Sequence, residues 1–223
     1  MASSDDVPIT RLTEFHSYAD GVRWRVVPAG VEIEGSGVER TRGVPSTVTQ
    51  VWEIYSSHIN RAARARGVAC ALILATICAE SGGKADAVRL ERGYVSDERT
   101  SNKVRVGLMQ TFISTACDML GYVVDRKWLL DPANSIEAGT AYIARQAALT
   151  HLDPPLVATA YSAGRLAYDS GERNRWKLRQ PHPGTGEYCD RFVHFFNDAL
   201  FVLALHDIRP AVGIEGLLGL RAQ

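Results

Sequence analysis

Ten consecutive residues, from Cys70 to Ala79, carry no charge, and one carboxylate, Glu80, closes the run before Ser81, Gly82 and Gly83. A segment with no polar face belongs inside a core if it is helical, and this one is too short to span a bilayer. The two glycines stop the helix and leave Glu80 on its last turn. The sequence thereby sets an ionisable group at the mouth of the hydrophobic interior. Burial there disfavours the charged form and raises a carboxyl pKa. A carboxylic acid that keeps its proton near neutrality can serve as a general acid. The competing reading is an exposed glutamate that solubilises a helix end, although a carboxylate at a helix C-terminus is mildly unfavourable with the macrodipole.

A chain of 223 residues, 46% hydrophobic and 22% charged, suits one good-sized domain with small appendages. Its 25 basic and 25 acidic residues cancel, so no global field argues for nucleic acid or an anionic membrane. The basic clusters Arg61/Arg64/Arg66 and Arg173/Arg175/Lys177/Arg179 read as solvated faces. The polar start MASSDDVPIT lacks a basic and then apolar leader pattern, and no membrane-spanning run appears. Cys70 and Cys78 sit roughly 12 Å apart along one helix, too far for a disulfide. The cysteine spacings are not those of a zinc site. Free buried thiols are expected, and a bridge involving Cys117 or Cys189 stays open at this point. Neither a cofactor nor a metal is called for.

Residues 1–20 read as a loose lead-in. Val22, Trp24 and Val26 alternate with arginines, and Val31 and Ile33 with glutamates, around Pro28-Ala29-Gly30. This is a hairpin pattern with arginines opposite glutamates, expected as a surface flap. Pro45-Ser46 opens a helix, with Ser46 as its expected N-cap, and Gly67 ends it. The excursion 84–106 is polar and long for a simple connection; Arg89, Glu91, Tyr94, Asp97 and Glu98 are its polar candidates. Asp131-Pro132 and Asp153-Pro154 each signal a helix start. Residues 165–184 are turn-rich, and a last helix is predicted from Glu187 to Leu205, with Tyr188, Phe192 and Phe195 on its apolar side. No repeat is present. The expected division is an N-terminal extension at 1–45 bearing the hairpin, a helical domain at 46–208 and a tail at 209–223.

Three short motifs follow in order: Glu80-Ser81, then Gly107-Leu108-Met109-Gln110, then Ala160-Tyr161-Ser162-Ala163-Gly164. Between the last two stands Asn134-Ser135-Ile136-Glu137-Ala138-Gly139. Over roughly residues 46–165 this ordered set resembles the catalytic domain of soluble lytic transglycosylases and goose-type lysozymes. Two departures stand out: Ser162 occupies the usual asparagine position, and Asn134 and Ile136 are one residue further apart than the motif has them. The resemblance implies an α+β, predominantly α, lysozyme-like fold with a small β element. It also implies cleavage of peptidoglycan between N-acetylmuramic acid and N-acetylglucosamine.

The same resemblance implies that Glu80 is the general acid and then the base, with the muramyl 6-hydroxyl attacking its own anomeric carbon to leave a 1,6-anhydro end. Assistance by the N-acetyl group removes the need for a second carboxylate, an exception to the two-carboxylate scheme. Asp97 and Glu98 are the fallback if water attacks instead. Substrate contacts are expected from Ser81, Gly107, Leu108, Met109, Gln110, Tyr161 and Ser162. Gly107 would admit a sugar close to the backbone. Met109 would be an apolar floor or a core filler. Gln110 would bond an acetamido group, and Tyr161 would hold the Glu80 carboxyl. Ser81 reads as a helix-end hydrogen bonder, since no histidine or aspartate joins it in a triad. The alternatives are a hydrolytic muramidase, a wall-binding module without turnover, and a chitin-type hydrolase. The expected partner is the glycan strand, acted on in the periplasm or wall, with delivery by a phage or specialised secretion route, or with a leader missing from this sequence. A protein partner for delivery goes with that route.

Overall fold

The computed structural model describes residues 12–218, so the start of the lead-in and the end of the tail lie outside the described residues. The architecture is α+β and mostly helical, as the resemblance implies, with two small antiparallel sheets. Helix α1 spans Ser46–Arg66 and helix α2 spans Cys70–Glu80. Every residue of α2 before Glu80 is buried, because an all-apolar cylinder has no face to give to water. Helix α1 packs on it through Val48, Val51, Trp52 and Ile59. Ser46 is not the cap of α1: Pro45 holds that position with no side-chain cap bond, and Gly67 closes the helix at a φ of 65°. The first N–H of α2 is satisfied from the tail, where Val212 O accepts from Cys70 N at 2.9 Å.

Strands β1 (Trp24–Val27), β2 (Gly30–Ile33) and β3 (Gly37–Val38) form the first sheet in that order. Arg25 pairs with Glu32 across the strands, its Nε donating to Oε2 at 2.7 Å. Trp24, Val26, Val31 and Ile33 are all buried. The hairpin is therefore a wall of the core and not a flap. Two buried polar contacts fix it. Val31 N donates to Asn197 Oδ1 at 2.7 Å, and Trp24 Nε1 donates to Asp153 Oδ1 at 3.0 Å. Asp153 Oδ2 also accepts from His16 Nε2 at 2.9 Å. The described part of the lead-in packs onto the domain, with Leu12 buried.

Strands β4 (Val88–Leu90), β5 (Val104–Val106) and β6 (Thr111–Phe112) make the second sheet from the polar excursion. Below it sits a separate small core of Val104, Val106, Ile113, Ala116, Leu129 and Ala138. Helices α3 (Ile113–Leu120), α4 (Arg126–Leu129) and α5 (Pro132–Arg145) follow, then α6 (Ala147–Thr150) and α7 (Pro154–Ala163). Asp131 caps α5 by accepting from Ala133 N and Asn134 N. Asp153 sits at the same place before α7 but makes no cap bond, because its carboxylate is spent on Trp24 and His16. The segment 165–186 is turn-rich yet buries Trp176 and Leu178. Helix α8 spans Glu187–Leu205, as the pattern predicts, and packs against α2 and α7. All four cysteines are free thiols. No helix among the described residues is long and apolar enough to cross a membrane.

Candidate active site

Helix α2 delivers Glu80 from the core to the floor of a cleft of about 600 Å³. The carboxyl is only 3% exposed. Tyr188, on the first turn of α8, donates its hydroxyl to Glu80 Oε1 at 2.6 Å. Arg89 Nη2 stands 3.8 Å from Oε2. Burial pushes the Glu80 pKa up; the Tyr188 hydrogen bond and the charges of Arg105, Arg89 and Arg191 pull against it, and burial prevails. Burial also pushes the Tyr188 hydroxyl far up, so it remains a donor.

The cleft lies between the second sheet and the start of α8. Glu91, Arg105 and Phe112 line one side, and Pro181, His182, Glu187 and Arg191 the other. Arg105 Nε donates to Glu91 Oε1 at 3.0 Å, and Arg105 Nη2 donates to Ser162 O at 3.3 Å. A second cavity of about 320 Å³ shares Arg105, Phe112 and Ser162 with the first and continues past Gln110, Tyr142 and Tyr161. The two adjoin as one groove with the acid in the larger part, a shape that suits an extended chain more than a compact ligand.

Residues 57–182, more than half of the chain, match the model of the transglycosylase SLT domain. The chain belongs to the transglycosylase SLT family. A solved structure similar to it is an inactive mutant of lytic transglycosylase Slt from Pseudomonas aeruginosa, at 20% identity and a TM-score of 0.49. That similarity covers 70% of this chain and 25% of the other, so the chain spans about a quarter of that protein's length. No curated protein matches the chain.

Within this SLT domain the motif residues divide into lining and scaffold. Ser162 lines both cavities, but its Oγ donates to Thr159 O within its own helix. Ser81 is the helix-end bonder the sequence suggests: its Oγ donates to Ile77 O and accepts from Gly83 N. Leu108 and Met109 are wholly buried core residues, and Met109 packs on Gly139, where a Cβ would come within 2.5 Å of its sulfur. Gly107 has a φ of +74°, and a Cβ there would meet Leu129 O at 2.3 Å. Its close neighbour is thus the protein's own backbone and not a sugar. Gln110, itself at a φ of 48°, donates its amide to Ala87 O and Gly107 O, both at 2.9 Å. It pins the β5–β6 turn, with only its carbonyl oxygen left over for a ligand.

The tyrosine that reaches Glu80 is not Tyr161. Tyr161 donates its hydroxyl to Met109 O at 2.8 Å and lies 3.2 Å from Thr111 Oγ1. Tyr188 lies beyond the matched stretch and in none of the motifs. Its signal was a phenol on an otherwise apolar helix face, which requires a buried partner. The fallback carboxylates lie elsewhere as well. Asp97 accepts from Arg126 and from Tyr94, which holds its carboxyl below the usual range, and Glu98 is exposed. The carboxylates that share the cleft with Glu80 are Glu91 and Glu187.

Proposed function

We propose that this chain cleaves the β-1,4 bond between N-acetylmuramic acid and N-acetylglucosamine in peptidoglycan as a lytic transglycosylase. The observation that carries the reading is a buried carboxyl whose pKa burial raises, facing an elongated groove, within an SLT-family chain. With Oε1 occupied by the Tyr188 hydroxyl, the proton rests on Oε2. Glu80 gives it to the glycosidic oxygen as the bond to the muramyl anomeric carbon breaks. The N-acetyl oxygen of the same sugar stabilises that carbon. Glu80, now ionised, takes the proton of the muramyl 6-hydroxyl as its oxygen closes on the anomeric carbon. Atoms and charge balance without water, and the product is a 1,6-anhydromuramyl end. The site of action is then the cell wall, and a delivery partner belongs to the same proposal.

The test is digestion of purified peptidoglycan by the wild type and by Glu80→Gln, with the released muropeptides identified by mass. Anhydro ends from the wild type and a loss of at least a thousandfold in the variant are expected, the scale of a lost proton donor with its electrostatics. Full activity in the variant sinks the Glu80 assignment, and binding without fragments from the wild type makes the chain a wall-binding module. One observation favours a second reading: Glu187 lines the same cleft on the side of Tyr188, where it could activate water. Reducing ends that vanish in Glu187→Gln would make the enzyme a muramidase.

A further inference from the structure

A neutral sugar polymer does not explain the charge of the cleft. Arg89, Arg92, Lys103, Arg105 and Arg191 line it against Glu80, Glu91 and Glu187. Those five cationic side chains outnumber the three carboxylates, in a chain whose net charge is zero. Arg105 is matched by Glu91, and Arg89 shares the same carboxylate at 3.5 Å. Among the described residues, no carboxylate lies within ion-pairing distance of Arg92, Lys103 or Arg191. Gathering arginines around a proton donor also works against it, since Arg105, Arg89 and Arg191 each lower the pKa that burial raises. An arrangement that opposes the acid it surrounds calls for another purpose. Guanidinium groups on a groove wall are suited to bidentate capture of carboxylates.

We infer that the excursion wall carrying Arg92 and Lys103, with Arg191 facing it, is a subsite for carboxylate-bearing substituents of the glycan strand. The inference rests on the proposed peptidoglycan activity and deepens it. The enzyme selects strands whose muramic acid carries negative charge over uncharged amino-sugar chains. The carboxylate has two possible sources, the stem peptide or the bare lactyl group of a strand stripped of peptide. In either case, binding neutralises Arg191, one of the cations that lower the Glu80 pKa, so the charged substrate itself favours the acid form. Both Arg92 and Lys103 come from the segment 84–106, which the sequence marks as long for a connection. Its length builds the charged wall.

The test uses full-length protein carrying Glu80→Gln, so that the strand is not consumed, and measures Kd for three soluble uncrosslinked strand preparations. The first has intact stem peptides, the second has all its carboxylates converted to amides, and the third has the peptides removed by an amidase to leave the lactyl carboxylate. We expect the intact strands to bind three- to tenfold more tightly than the amidated ones, about the worth of two partly exposed ion pairs. Salt at 0.5 M should erase the difference. Arg92→Gln with Lys103→Gln should bring the ratio near one, and Arg92→Lys with Lys103→Arg should restore it. Peptide-free strands that bind like intact ones identify the lactyl group; if they bind like amidated ones, the stem peptide is the source. Equal affinity for intact and amidated strands overturns the subsite, and so does a ratio unaffected by the double glutamine variant. Cleavage by the protein with Glu80 in place is scored separately, so a lost subsite and a lost activity are told apart.

Discussion

Replacing Gly107 by alanine separates two accounts of the Gly-Leu-Met-Gln turn. If the glycine serves substrate approach, Gly107→Ala raises KM and leaves the fold alone. The structure predicts the opposite order of effects. At a φ of +74° any Cβ is strained, which costs about 1–2 kcal/mol. The same Cβ would lie 2.3 Å from Leu129 O, 2.7 Å from Ser135 Oγ and 3.0 Å from Ser135 Cβ. The first obstacle is backbone at the end of α4 and cannot swing aside. Forced overpacking of this kind costs about 1–3 kcal/mol. Together these give about 2–5 kcal/mol, or a fall in Tm of roughly 5–20 °C for a chain of this size. Relief would come by displacing Ser135, whose Oγ accepts from Met109 N at 3.1 Å, and activity would fall with the turn. The assay is thermal unfolding followed by circular dichroism, with kinetics at a temperature where the variant is folded. A Tm within about 2 °C of wild type, combined with a raised KM, refutes the packing argument.

Tyr188→Phe removes a bond that favours ionised Glu80, so the alkaline limb of kcat/KM should move to higher pH, while kcat falls as the carboxyl loses its anchor; a limb that moves to lower pH contradicts this. Asp153→Ala strands the Trp24 indole N–H and His16 in the core and should cost about 3–5 kcal/mol in urea unfolding. The wild type has a matching pH signature. Burial lowers the pKa of His16, but the hydrogen bond and charge of Asp153 outweigh it and leave it raised above 6.5. The pair's contribution is therefore complete below 6.5 and is lost as pH rises through the raised value. Stability that instead grew over that range would reverse the assignment. Asp97→Asn breaks a partly exposed pair with Arg126 and perturbs the bond from the Tyr94 hydroxyl, so peptidoglycan cleavage should stay within about twofold and stability within about 1 kcal/mol; a tenfold loss of activity would return Asp97 to the site.

The helices were legible wherever one residue type leaves a single option. An uncharged run had to be buried, glycines at positive φ had to end α1, α3 and α7, and Asp131-Pro132 had to begin a helix. The excursion read only as polar and long, because the sheet pairing of Val88, Val104 and Thr111 depends on contacts across some twenty residues, which local pattern does not encode. Asp153 misled for a related reason. It is a perfect cap in sequence, yet a buried indole and imidazole more than a hundred residues upstream take its oxygens. In the site, Glu80 was visible because burial and charge coincide in one short segment. Its partner was not, because Tyr188 stands 108 positions away and its phenol is indistinguishable from packing until two helices are brought side by side. Motif residues such as Gln110 and Gly107 were located without their protein neighbours, since a short motif shows which residues recur and not what they touch.

The placement of Tyr188 bears on how the chain assembles. Synthesis produces Glu80 and the second sheet well before it produces α8. Until that last helix docks, the acid has no hydroxyl to orient it, and the apolar wall of α2 lies uncovered. A fragment trimmed at residue 182 would lack the Tyr188 hydroxyl that Glu80 accepts from. Under the proposed function, the C-terminal helix thus completes the acid's surroundings last.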